Sequence, residues 1–130
     1  MKKIFIILTI SYIMLYSNPN LPTQAKSFIS STFKGVNILS IENNNNTFDV
    51  KLSNGIYIEF VGNGNWKKIY SESTDIPFSV LPIKISKSIK SQFNDKTIKE
   101  VEKRGPNFQV KLNNDIKLLI DKNGKIINKN

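Results

Sequence analysis

A chain of 130 residues, 39% hydrophobic, can hold one domain or two very small ones. Units of about fifty residues bury too little surface alone, so two of them are expected to share a core or a sheet. With no cysteine and no histidine, disulfides, thiol nucleophiles, imidazole bases and the commonest metal ligand are all excluded.

The formal charge is +9, and removing Lys2 and Lys3 with the leader argued below leaves 19 − 2 = 17 basic residues against 10 acidic ones, or +7. The lysines are spread along the chain rather than gathered in a stripe, so no nucleic-acid footprint is read. The chain opens on Met1-Lys2-Lys3, followed by an almost wholly apolar run over residues 4–16, then Ser17 and the breaker Asn18-Pro19-Asn20. A basic start, a short apolar stretch and a small residue spell a secretory signal peptide at residues 1–17. The run is too short for a membrane span, which needs about 20 apolar residues. Leu15 is not the ideal residue at the −3 position, which keeps a retained signal anchor as the alternative to cleavage after Ser17. There is no cysteine to carry a lipoprotein anchor. The expected product is periplasmic or secreted, with no membrane span after cleavage.

Beyond the leader the sequence is written twice. Laying Leu21-Pro22 over Leu81-Pro82 and carrying the sixty-residue offset through without a gap matches Ile29 to Ile89, Phe33 to Phe93, Ile38 to Ile98 and Glu42 to Glu102. Phe48-Asp49-Val50-Lys51-Leu52 then meets Phe108-Gln109-Val110-Lys111-Leu112, and Asn63-Gly64 meets Asn123-Gly124. The shared residues are mostly apolar or turn-forming, as a repeated fold would keep. In chain order, Pro22 and Pro82 suit the first turn of a helix. Ala25, Phe28, Ile29 and Phe33 recur at helical spacing, as do Ile85, Ile89 and Phe93, and Gly35 or Asp95 marks the end. Strands are predicted over residues 36–42 and 97–103, with turns over 43–46 and 104–107. Phe48, Val50 and Leu52 alternate with polar residues, so one face is buried. Ser53-Asn54-Gly55 is a tight hairpin turn, and Asn113-Asn114-Asp115 a weaker version of it. Ile56, Ile58 and Phe60 alternate again, as do Ile116, Leu118 and Ile120. Last strands follow at residues 66–70 and 126–128. By period, Phe33, Phe48, Phe60, Phe93 and Phe108 are core. Each copy is thus a helix followed by a four-stranded antiparallel meander, an α+β class. The first repeat occupies residues 18–70, a packed linker carrying Ile76, Phe78 and Val80 occupies 71–80, and the second repeat occupies 81–130.

A Leu-Pro start, an amphipathic helix ending in Phe, a Phe-x-Val-x-Leu strand, a Ser-Asn-Gly hairpin, an Ile-x-Ile-x-Phe strand and a turn reaching Gly-Asn-Trp resemble the PepSY-like family of bacterial exported proteins, related in fold to the beta-lactamase-inhibitor proteins. The resemblance covers residues 21–129 and fits best over 48–66. In the second copy Asp115 stands for the hairpin glycine and Ile126 for the tryptophan. It implies two helix-on-sheet units whose sheets join, with a concave outer surface; in the inhibitor relatives that surface grips a protein. No contact motif is matched here, so no target is carried over.

No catalytic site assembles from the residues. Ser30, Ser31, Lys26 and Lys87 read as solvated helix faces, and the ten carboxylates are scattered. Gly62-Asn63-Gly64 leads to a strand and lacks the lysine of a phosphate loop. Asp121-Lys122-Asn123-Gly124 lacks the further ligands a calcium loop needs. No enzyme, metal or cofactor is expected. Alternation puts Tyr57, Lys51, Glu59, Lys111, Lys117 and Leu119 on the face away from the helices, with Asp49 and Gln109. An aromatic and a leucine among mixed charges suit a protein-binding surface, and equally an ordinary half-exposed sheet. Trp66 either caps the core edge or joins the binding rim. The expectation is an exported, non-catalytic binding module whose outer sheet face meets, and in one form inhibits, an envelope or extracellular protein. The alternative is an envelope-associated structural protein held weakly on anionic lipid or wall polymer.

Overall fold

The computed structural model describes residues 21–130; the expected signal peptide and its cleavage site lie outside the described residues. The elements are α1 (Thr23–Thr32), β1 (Ile38–Asn44), β2 (Thr47–Leu52), β3 (Ile56–Val61), β4 (Trp66–Ser71), a 3₁₀ turn (Phe78–Val80), α2 (Ile83–Gln92), β5 (Ile98–Arg104), β6 (Asn107–Leu112), β7 (Lys117–Ile120) and β8 (Ile126–Lys129). The fold is α+β, with eight antiparallel strands in the sheet order β1 to β8. Within β1–β4 and within β5–β8 short turns make the meander the natural outcome, because a tight turn joins antiparallel neighbours, whereas β4 and β5 are joined through the 3₁₀ turn and α2.

The sixty-residue offset reappears in the hydrogen-bond register. Ile38 pairs with Leu52 and Ile98 with Leu112, Ile41 with Val50 and Val101 with Val110. Each ladder carries its irregularity at the same place, between Ile38 and Ser40 and between Ile98 and Glu100. Two compact units part between Trp66 and Lys67, inside β4.

In the first unit, Ala25, Ile29 and Phe33 of the α1 segment are buried together with Val50, Leu52, Ile56, Ile58 and Phe60. The Phe28 ring meets Phe33 and Phe60 edge-on, with centroids 6.1 Å away in both cases. In the second unit Ile85 and Ile89 of α2 are buried with Ile98, Val101, Val110, Leu112, Leu118 and Ile120. Ile76 and Val80 of the connecting segment are buried as well, and Ile76 makes a bridge to Ile98. Full burial of such a side chain contributes about 1.5–3 kcal/mol, and these layers are what holds a chain that has no disulfides.

Several expectations need correction. Pro22 and Pro82 are not inside the helices but cap them, with ψ of 147° at both, and the helices begin at the next residue. β1 and β5 run on to residues 44 and 104, because the turns are tighter than expected and use left-handed residues, Asn45 (φ 57°) and Gly105 (φ 59°). Phe48, Phe93 and Phe108 are half-buried rather than core. Phe48 and Phe108 lie on the face that alternation predicts, since they pair with buried Phe60 and buried Ile120. They are shallower than core because both lie one pair from the end of their ladder, opposite Asn43 and Lys103. Phe33 is sealed by Phe28, whereas the position sixty residues on is Ser88, so Phe93 has the Lys129 ammonium 5.4 Å from its ring.

Candidate functional site

Strand alternation leaves one face of each unit without a helix. In the first unit Asp49 pairs with Glu59 and Lys51 with Tyr57, while Ser40 and Glu42 complete the rows from β1. Lys51 holds its ammonium 5.5 Å from the Tyr57 ring, and Asp49 accepts a 2.7 Å hydrogen bond from the Asn44 amide. Lys51 and Asp49 are exposed, Tyr57 and Glu59 half-buried.

The second unit carries a denser arrangement. Tyr70 pairs with Glu100, Glu100 with Lys111, and Lys111 with Lys117, forming one row across β4 to β7. Lys68, Glu102, Gln109, Leu119 and Asn128 form the neighbouring row across β4 to β8. Glu100 lies 3.9 Å from the Lys68 ammonium and 3.8 Å from that of Lys111. Glu102 is reached by Lys67 at 3.9 Å and by Arg104 Nε at 3.2 Å. Each such pair, with its lysine or arginine in solvent, adds little stability, about 0–1 kcal/mol. Tyr70 is 37% exposed, with the Lys68 ammonium 5.5 Å from its ring.

Of the residues expected on the working surface, Tyr57, Lys51 and Glu59 come together in the first unit, and Lys111, Lys117 and Leu119 in the second. Trp66 does not join them: it is 8% exposed and its ring lies 6.2 Å from that of Phe28, so it closes the core edge beside α1. Sequence reading missed Tyr70, Lys68, Glu100 and Glu102. The Glu42–Glu102 match was visible, and carrying alternation from Val101 outward would have placed Glu100 and Glu102 on the outer face.

Two groups are perturbed. The hydrogen bond from Lys99, 2.9 Å from Asp75, holds that carboxyl below its usual range. Burial lowers the Lys103 ammonium from the ordinary lysine value; it lies on the helix-facing side, opposite Phe108. Among the described residues no three His, Cys, Asp or Glu side chains gather to hold a metal ion. No helix among the described residues is long and apolar enough to cross a membrane.

The family model described as "Putative beta-lactamase-inhibitor-like, PepSY-like" matches residues 14–60 and 46–128. No curated protein matches the chain. Among solved structures, a "putative calcium-regulated periplasmic protein" of Bacteroides thetaiotaomicron is 24% identical with a TM-score of 0.76, the match covering 86% of this chain and 91% of that one. A periplasmic protein of unknown function from Bacteroides vulgatus is 26% identical with a TM-score of 0.75, covering 86% and 93%. A second periplasmic protein of Bacteroides vulgatus is 24% identical with a TM-score of 0.73, covering 85% and 90%. The fold is shared over nearly the whole of each, and the periplasmic description of these proteins agrees with the localisation expected from the start of the sequence.

Proposed function

This chain belongs to the PepSY-like family, and we propose that it is an exported, non-catalytic module that binds a protein of the envelope or the extracellular space through the helix-free face of its sheet. The observation that carries the reading is the row Tyr70–Glu100–Lys111–Lys117, in which an exposed aromatic stands beside a fixed pattern of charges. An aromatic anchor ringed by polar groups is the usual form of a protein-binding hot spot, and truncating one costs about 2 kcal/mol or more of binding. Tyr57 with Lys51 and Glu59 offers the same chemistry on the first unit. Scattered carboxylates, no histidine and no cysteine support a role without catalysis. A binder of this kind acts as an inhibitor when its partner is an enzyme.

The test is a pull-down from envelope extract with the wild-type chain as bait. Tyr70→Ala, Tyr57→Ala and Lys117→Glu are then compared with Lys26→Ala and Lys87→Ala on the exposed helix sides. Loss confined to the sheet-face variants supports the reading; equal loss from the helix variants rejects it. Loss of every partner above a few hundred millimolar salt favours instead weak charge attachment to anionic lipid or wall polymer, because screening then shortens charge reach to a few ångströms.

A further inference from the structure

A concavity of about 320 Å³ opens on the helix-free side of the second unit, lined among others by Arg104, Asn107, Gln109, Lys117, Leu119 and Asn128. Its volume is within the range of small-ligand sites, roughly 300–1,000 Å³. No acidic side chain lines it. The register fixes its plan. Gln109 and Leu119 are direct partners and Asn128 is the next across, so an amide, an apolar side chain and a second amide form the floor. Arg104, opposite Asn107, stands at one end, and Lys117, opposite Lys111, at the other.

The charges at the two ends are available to a ligand. Arg104 engages Glu102 through Nε, which leaves the two terminal nitrogens of its fork for another acceptor. Lys117 has no ion pair among the described residues, and its direct cross-strand partner is another lysine. Like charges directly opposite one another destabilise a sheet, and a bound anion would relieve that repulsion. The ends are far apart: four residues along β6 and two strand spacings across place the α-carbons about 16 Å from each other. One small anion cannot bridge them, but a short chain with an anionic group at each end can. The amides between them each supply both donors and acceptors, which suits a frame of hydroxyl groups, and Leu119 suits the apolar C–H face of a sugar ring.

The geometry points to a binding site for an acidic oligosaccharide, a short run of carboxylate-bearing sugars lying diagonally from Arg104 to Lys117. The site shares Lys117 with the row proposed to bind a protein, but it does not rest on that reading.

The probe is tetragalacturonate, titrated into the chain beginning at residue 18 by calorimetry and by amide chemical shifts. Maltotetraose serves as the neutral sugar and a glutamate tetrapeptide as the non-sugar anion. Single-site binding of tetragalacturonate is expected, with shifts at Gln109, Leu119 and Asn128. Arg104→Gln and Lys117→Met should each weaken it by about tenfold or more, the loss expected for a charged hydrogen-bonding partner. Gln109→Leu should weaken it too, and Lys87→Met on the exposed side of α2 should leave it unchanged. Circular dichroism confirms that each variant is folded. No binding at millimolar probe, equal binding of the glutamate peptide, or equal loss from Lys87→Met would each overturn the site. A pull-down that fails while tetragalacturonate binds would reject the protein-binding reading and leave this one standing.

Discussion

Gly124 packs so closely against Lys84 that a β-carbon on it would stand 2.6 Å from the Lys84 carbonyl oxygen. Its φ is +87°, in the left-handed region. Sixty residues earlier Gly64, at φ +95°, would place a β-carbon 3.0–3.1 Å from Gln24, Ala25 and Pro22. In each copy the turn before the last strand is pressed onto the first turn of the helix, and in the first copy Gln24 also donates a hydrogen bond to the Asn65 side chain. The Asn-Gly dipeptide is therefore where helix and sheet close on one another.

Gly124→Ala is expected to destabilise by about 1–3 kcal/mol from its backbone conformation, with a further penalty because the obstructing atom is backbone and cannot swing away. Gly105→Ala has the backbone penalty alone, since nothing lies within 4 Å of its would-be β-carbon. Denaturant midpoints should rank Gly124→Ala well below Gly105→Ala; equal midpoints would mean that the contact with Lys84 is not maintained in solution.

Phenylalanine truncations should follow depth rather than periodicity. Phe60 is fully buried, so Phe60→Ala should cost about 3–5 kcal/mol. Phe48→Ala and Phe108→Ala, at half-buried ladder ends, should cost distinctly less, about half that amount. Urea unfolding of the three variants with comparable m-values checks the ranking.

Asp75 and Lys99 form a pH-sensitive tie between the connecting segment and β5. The folded state holds the Asp75 carboxyl below its ordinary value. The contribution is therefore fully present above the ordinary carboxylate range and is lost as pH falls through the lowered value. Asp75→Asn should flatten the acid limb of stability slightly and leave neutral stability nearly unchanged, as expected of an exposed pair. An unchanged acid limb, measured by midpoints between pH 2 and 7, would contradict the tie.

Lys103 works in the opposite sense. Burial disfavours its charged form, so the folded state binds that proton less tightly than the unfolded chain. Stability should rise with pH between the lowered value and 10.5, and below that window the charge is a cost. Lys103→Met keeps most of the apolar stem and should remove that rise, read as denaturant midpoints at alkaline pH. A rise of the same size in the variant would show that another group titrates there.

The sixty-residue offset is legible in the chain and reappears in the registers of β1–β2 and β5–β6, because it preserves both kinds of information that set local structure. Turn chemistry recurs at Asn63-Gly64 and Asn123-Gly124, and the period-two burial of Val50, Leu52, Val110 and Leu112 recurs with it. These are local properties, decided by backbone sterics and by which face leaves water. Depth is different. Whether Phe48, Phe93 and Phe108 are sealed depends on what lies against them from elsewhere in the chain, and periodicity carries no such information. The candidate surface divides in the same way. Alternation alone put Tyr57, Lys51, Lys111, Lys117 and Leu119 on one side. That Trp66 turns inward onto Phe28, that Glu100 stands between Lys68 and Lys111, and that Arg104 and Lys117 end a common hollow were settled only when strands distant in sequence paired. A strand's own residues determine which way each side chain points, and only its partners determine what that side chain meets.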